Sequence, residues 1–224
     1  MENFRLGGQA CIYSYMAGGV GETETPTPNV KALKQLFEGV RRAAPNLKVL
    51  HLDNANPAVI AAHPGESRAA TEILAEHCTS GNVLALGMES ADPAVIEANN
   101  LNATPEQVSF AVKMLNEVGG RRGENGLPAL LPGINILSGL DGETKRTFDM
   151  NYSFLKSILD DGLMLRRINI RQVAPQGQAV RNKETLRRLQ AVQGEGPEGY
   201  RRADAGANRS KRNGAARGIR RNPD

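Results

Sequence analysis

The sequence predicts an α/β protein built on a parallel sheet, and three observations carry that reading. Short apolar runs alternate with amphipathic stretches through residues 1–175, which implies right-handed βαβ crossovers. One run, Val83–Leu86, is apolar without a break, as strands buried on both faces are. The predicted strands also turn polar at one common end, their C-terminal end, where α/β folds bind ligands. The alternation fits both a barrel and an open sheet.

Each element has its own reason. Phe4–Gly7 reads as the end of a buried strand, closed by Gly7-Gly8-Gln9. Val30–Ala43 is a helix, because Val30, Leu33, Leu36, Phe37 and Val40 recur at helical spacing behind Pro28-Asn29. Leu47–Leu52 is the next strand, and Pro57–His63 and Glu66–Cys78 are helices, the second stopped by Gly81. Asn82–Gly87 is a strand. Thr104-Pro105-Glu106-Gln107 starts a helix with a capping Thr, Pro in the first turn and Gln at capping-box distance; Gly119-Gly120 ends it. Ala129–Leu137 is a strand despite Pro132, Glu143–Leu159 a helix and Leu165–Val173 a strand. The polar strand ends are Gly8-Gln9, Asp53-Asn54, Glu89-Ser90, Asn135 with Ser138, and Arg171-Gln172.

Composition narrows the function classes. The hydrophobic share is 40% and the charged share 23%, as in an ordinary globular domain. No apolar run is long enough for a transmembrane helix and the start shows no secretory pattern, so a cytoplasmic address is the default. The net charge of +4 hides a division. Residues 181–224 hold 12 Lys+Arg against 5 Asp+Glu, which leaves the body 16 against 19. Nucleic-acid binding is therefore a reading for the tail alone. The two cysteines, Cys11 and Cys78, fit no paired metal spacing and read as small hydrophobes. His51, His63 and His77 are scattered, which disfavours zinc.

Two segments go beyond periodicity: Leu84–Gly120 and Leu130–Leu159. The first holds Gly87, Glu89 and Ser90, then Thr104-Pro105-Glu106; the second holds Gly133, Asn135, Gly139 and Gly142-Glu143-Thr144. In order and spacing they resemble the radical S-adenosylmethionine (radical SAM) superfamily, and Gly7-Gly8-Gln9 resembles that family's Gly-Gly-Glu turn, with Gln for Glu. The wording NFRLGGQ and RRINIRQVAP looks closest to archaeal Fe–S oxidoreductases of the superfamily that carry an additional C-terminal module.

The resemblance implies a partial (β/α)6 TIM-like barrel. It implies a [4Fe–4S] cluster on three cysteines of a CxxxCxxC loop, binding S-adenosylmethionine and cleaving it reductively to a 5′-deoxyadenosyl radical that takes hydrogen from a substrate. On that reading Gly7, Gly8 and Gln9 lie at the SAM amino group. Glu89 and Ser90 lie at the ribose, and Gly133, Asn135 and Gly139 beside the adenine. Each position has a simpler rival: a plain turn at Gly7-Gly8, a helix-start acid at Glu89, a cap at Glu143, and an Asx turn at Asp53, Asn54 and Asn56.

The family's first strand and cysteine loop precede its second strand, which here begins at residue 3. The expectation is a barrel lacking its first strand, inactive alone, with no metal site of its own because two distant cysteines cannot supply three converging thiolates. Phe4–Gly7 would then be an exposed edge open to association. Residues 176–224 read as a disordered basic tail, and four accounts of it compete: a nucleic-acid arm, a linker, a further domain, or a frameshifted segment. A one-base shift of Val192–Ala207 permits a charged amphipathic helix, which favours the last. Two other functions stand beside the leading one: a nucleic-acid-associated protein acting through 181–224, and an iron-independent barrel enzyme using Glu89, Asp53 or Arg171.

Overall fold

The computed structural model describes residues 2–7 and 11–173; Gly8, Gln9 and the basic tail lie outside the described residues. In chain order the elements are β1 (Asn3–Leu6), a 3-10 turn (Ile12–Ser14), α1 (Val30–Ala43), β2 (Val49–Leu52), β3 (Asn54–Ala55) and α2 (Pro57–Ala62). Then come α3 (Pro64–His77), β4 (Asn82–Glu89), α4 (Pro93–Ala98), α5 (Pro105–Gly119), β5 (Leu130–Ser138), α6 (Lys145–Asp160) and β6 (Arg167–Gln172).

Every strand pairing is parallel, and neighbours in space are neighbours in sequence: β1 pairs β2, and β3, β4, β5 and β6 follow in order. Right-handed crossovers between consecutive parallel strands put every connecting helix on one face. The helices form that single layer, with α1 against α3, α3 against α5 and α2 against α5. The described strands make no closed barrel.

The predicted strand Leu47–Leu52 is β2, Val49–Leu52, and a second short strand, β3, not among those predicted, follows it directly. β2 pairs with β1 and β3 with β4, and Asp53 is the joint between them. The two sheets stay tied across it. The Asp53 carbonyl accepts from Ala85 N at 2.7 Å, and Leu52 N donates to the buried Asn82 side chain at 3.0 Å.

Alternation assigns the faces. Leu84, Leu86 and Met88 of β4 and Ile134 and Ile136 of β5 are fully buried under the helices, with Leu50, Leu52, Phe37 and Leu115. The opposite face is small and polar in its middle, at Ala85, Gly87, Gly133 and Asn135, with Val83 and Leu131 at the strand starts. The 3-10 turn seats Tyr13, wholly buried, with its hydroxyl 2.7 Å from Thr71 Oγ1; burial pushes that phenol well above its ordinary value.

Helix starts follow the sequence closely. Thr104 caps α5 in a reciprocal box with Gln107, whose Oε1 accepts from Thr104 N at 2.9 Å. Asn29, Asn56 and Asp92 cap α1, α2 and α4 through side-chain oxygens. The predicted helix Glu143–Leu159 begins later, at Lys145. Glu143 is spent on the turn before it, where its Oε2 accepts from Gly139 N at 2.8 Å, and Gly139 sits at φ +94°.

Two helix glycines look alike in sequence and differ in surroundings. A Cβ at Gly119 would meet the Leu130 carbonyl oxygen at 2.1 Å, whereas at Gly39 it would meet nothing within 4 Å. Gly119→Ala is therefore expected to destabilise by roughly 1–3 kcal/mol. Gly39→Ala is expected to stabilise by about 0.5–1 kcal/mol. Urea unfolding followed by circular dichroism reads both.

Candidate functional site

The open face of the sheet forms the floor of a cleft of about 710 Å³. Ala85, Gly87 and Glu89 come from β4, Asn135 from β5, Arg167 and Arg171 from β6, and Arg5 and Asp53 from the β1–β2 side. One wall is the Val20–Pro26 stretch, pinned by Gly18–Thr27 backbone bonds and by His63 Nε2, 2.9 Å from the Thr25 carbonyl, to which it donates. The other wall is Asn100–Asn102.

Glu89 is the most constrained residue here. It has φ +63°, a backbone region that non-glycine residues rarely adopt. A bulge lies between Gly87 and Glu89, so Gly87 pairs with Asn135 and Glu89 with Ile136. Bulge and left-handed backbone together fold the Glu89 side chain back over Gly87. A Cβ at Gly87 would lie 2.9 Å from Glu89 Oε1, so this glycine is the room the carboxylate occupies. Glu89 Oε2 is buried with no hydrogen-bond partner. Burial pushes the carboxyl up from its ordinary value, and the nearby Arg171 charge pulls it partly back.

The segment that carries Glu89 is held from behind. Ser90 and Asp92 are buried, as are Thr147 and Asn151 on α6. Ser90 Oγ accepts from Asp92 N at 3.1 Å, Asn151 Oδ1 from Ala91 N at 2.6 Å, and Thr147 Oγ1 donates to Asp92 Oδ2 at 2.7 Å. Ser90 is therefore a turn residue beneath the site and does not line the cleft.

At the other end Arg5 Nε donates to Asp53 Oδ1 at 2.7 Å, and Nη2 donates to the same oxygen. Gly7 lies against this pair, where an added Cβ would stand 3.1 Å from Asp53 Oδ2. Asp53 is thus a partner of arginine, and the side-chain cap of α2 is Asn56, accepting from Ala58 N at 2.9 Å. On β5, Asn135 Oδ1 accepts from Asn169 Nδ2 at 2.8 Å. Gly133 does not open onto empty space: Arg167 Cγ and Val83 Cγ1 each lie 3.0 Å from where its Cβ would be. Gly139 belongs to the turn after β5, beside Val173.

The structure thus gathers Glu89, Asn135, Asp53 and Arg171 into one cleft, places Gly7 and Gly133 at its margins, and leaves Ser90 and Gly139 out. Arg167 and Asn169 went unread in the sequence. Their signal is the alternation in RRINIRQ, where Arg167, Asn169 and Arg171 share one side and Ile168 and Ile170 pack with the core.

Cys11 and Cys78 are buried free thiols. Cys11 Sγ accepts from Asn56 N at 3.2 Å, and burial pushes the Cys78 thiol up to about 12. No group of three His, Cys, Asp or Glu side chains converges among the described residues. They do not fit a [4Fe–4S] cluster, which takes three thiolates, and no chemistry is routed through one. No helix among the described residues is long and apolar enough to cross a membrane.

No family model matches the chain. It is 59% identical over 172 residues to an uncharacterized protein of Methanocaldococcus jannaschii, a match covering 77% of this chain and 32% of that protein. It is 45% identical over 190 residues to an uncharacterized protein of Archaeoglobus fulgidus, covering 84% of this chain and 35% of that one. A third, from Methanopyrus kandleri, is 26% identical over 141 residues. The chain spans about a third of the length of the first two of these relatives.

The geometry of Glu89 predicts a trade between stability and function. Glycine accepts φ +63° without strain, so Glu89→Gly is expected to stabilise by about 1 kcal/mol in urea unfolding, while removing the carboxylate from the cleft. Its titration has a definite sign. A carboxyl whose folded value lies above its unfolded one contributes fully below about 4.3 and loses that contribution as pH rises through the folded value. Glu89→Gln is therefore expected to gain stability relative to the wild type between about pH 3.5 and pH 7, read as diverging urea midpoints.

Proposed function

We propose that this chain is part of a radical SAM barrel and that the open face of its sheet holds S-adenosylmethionine. The observation that carries the reading is the strand-end geometry at Glu89: a strained, bulged carboxylate folded over Gly87, with one buried oxygen that has no partner. Backbone strain of this kind costs free energy and concentrates where ligands are held. An orphaned carboxylate oxygen suits a ligand with hydroxyl donors, such as a ribose diol.

Two further features support the reading. Parallel strands in sequence order with helices on one face are what a partial (β/α) barrel requires, and the polar strand ends meet at the end where such folds bind ligands. The motif residues Gly87, Glu89 and Asn135 line or floor the same cleft, so spacing in the sequence corresponds to proximity in space. The sequence's two cysteines, Cys11 and Cys78, do not supply the three thiolates of such a cluster, so the reading is confined to the nucleoside. The residues described here would bind and orient the nucleoside and keep the reactive end beneath the Val20–Pro26 wall.

The iron-independent enzyme is the second reading, favoured by the raised carboxyl of Glu89 near Arg171, a pairing suited to acid–base work. The nucleic-acid reading concerns the tail, outside the described residues.

Calorimetry with S-adenosylhomocysteine tests the nucleoside site without any cluster. We expect saturable binding to the full chain, weakened at least tenfold by Glu89→Ala and abolished by Gly87→Val, which fills the space of the carboxylate. No binding at millimolar ligand, or binding indifferent to both substitutions, would falsify the reading.

A further inference from the structure

The last strand supplies positive charge to the cleft in a form the nucleoside reading does not use. Alternation in β6 sets Arg167, Asn169 and Arg171 on the cleft side, opposite Gly133, Asn135 and Leu137 of β5. Arg167 does not simply extend into water. Its Cγ and Nε lie 3.0 and 3.3 Å from where a Gly133 Cβ would stand, so its stem is laid across β5. The missing side chain at Gly133 is what lets an edge-strand arginine reach inward.

The groups along this side are donors. Asn135 lines the cleft with its Oδ1 already taken by Asn169 Nδ2, so what it has left to offer a ligand is its amide donors. Arg5 is satisfied by Asp53, but Arg167 and Arg171 have no hydrogen-bonded carboxylate among the described residues. Glu89 acts on Arg171 through space and is itself folded back over Gly87. Two guanidinium groups flanking an amide donor make a site for an acceptor-rich group, and guanidinium forks match carboxylate and phosphate oxygens in pairs.

We propose that the β6 row, Arg167 with Asn135 and Arg171, binds the anionic group of a second ligand, a carboxylate or phosphate on the substrate held beside the nucleoside. The proposal rests on the nucleoside reading for the word "substrate" only; the anion site stands on its own geometry.

The test uses the full chain and two probes, inorganic phosphate and succinate, titrated by NMR with and without saturating S-adenosylhomocysteine. We expect one or both anions to shift the Arg167, Asn169 and Arg171 signals, and the preferred probe to identify the chemistry. Affinity should fall roughly tenfold in Arg167→Met and partly recover in Arg167→Lys, with Arg68→Met, on the outer surface of α3, unchanged. Urea midpoints verify that each variant is folded. Simultaneous binding with S-adenosylhomocysteine supports a second ligand. Competition between the two would assign the arginines to the nucleoside's own carboxylate and overturn the proposal. Absence of binding by both anions, or equal loss in Arg68→Met, also overturns it. Anion binding lost in Arg167→Met in a protein that ignores S-adenosylhomocysteine would sink the nucleoside reading and leave the anion site standing.

Discussion

The rest of this structure depends on parity in β4 and β5. Through the middle of each strand, Leu84–Met88 and Gly133–Ile136, one set of alternate residues is large and apolar and lies beneath the helices, and the other set is small or polar. Leu84, Leu86 and Met88 face Ala85 and Gly87 across the backbone; Ile134 and Ile136 face Gly133 and Asn135. A strand pleat permits only two directions, so this division decides which face becomes core. Sequential parallel winding then places all helices on the large-residue face, and the other face remains a concave floor. A single-residue slip would bury Asn135 and expose Ile134, which is why the register is so strongly specified.

Much of this architecture was legible in the sequence, and the reasons differ by element. The helix starts were readable because capping is local: Thr104, Pro105 and Gln107 act within one turn and need no tertiary knowledge. The parallel pairing followed from the alternation of strands and helices. The joint at Asp53 was not readable, because it arises from a long-range choice: β2 finds its partner in β1 while β3 finds its partner in β4. The late start of α6 was hidden for a similar reason. Glu143 looks like a first-turn acid, but the left-handed turn at Gly139 claims its carboxylate.

The site divides along the same line. Glu89 and Asn135 were recognisable from motif spacing, which records positions along strands. Ser90 stands beside Glu89 in sequence, yet the bulge turns them apart, one into the cleft and the other beneath it. The contribution of β6 was masked by composition. Arg171 was read as a polar strand end, but Arg167 in LRRINIRQ looks like solvated charge, and only its pairing with Gly133 shows that it lines the cleft too. Gly133 itself reads differently in three dimensions: its absent side chain accommodates an arginine stem from the neighbouring strand. The helix α6 has a role that no motif announces, since Thr147 and Asn151 fix the loop carrying Glu89 from the core side.

The joint at Asp53 has a mechanical consequence. The first sheet and the second share one extended segment, but their ladders stop on either side of a single residue, so the ordinary stiffness of a continuous sheet is interrupted there. Bonds from Ala85 and Asn82 act as stitches over the seam. The Arg5 guanidinium spans the gap between β1 and the seam through Asp53. Load applied to β1 passes through its ladder with β2 to the chain at Asp53, where the ion pair and the two stitches reinforce the crossing to the cleft floor. The seam is where the spacing between the two sides of the cleft is set, because the two sheets are joined there and nowhere along a shared ladder.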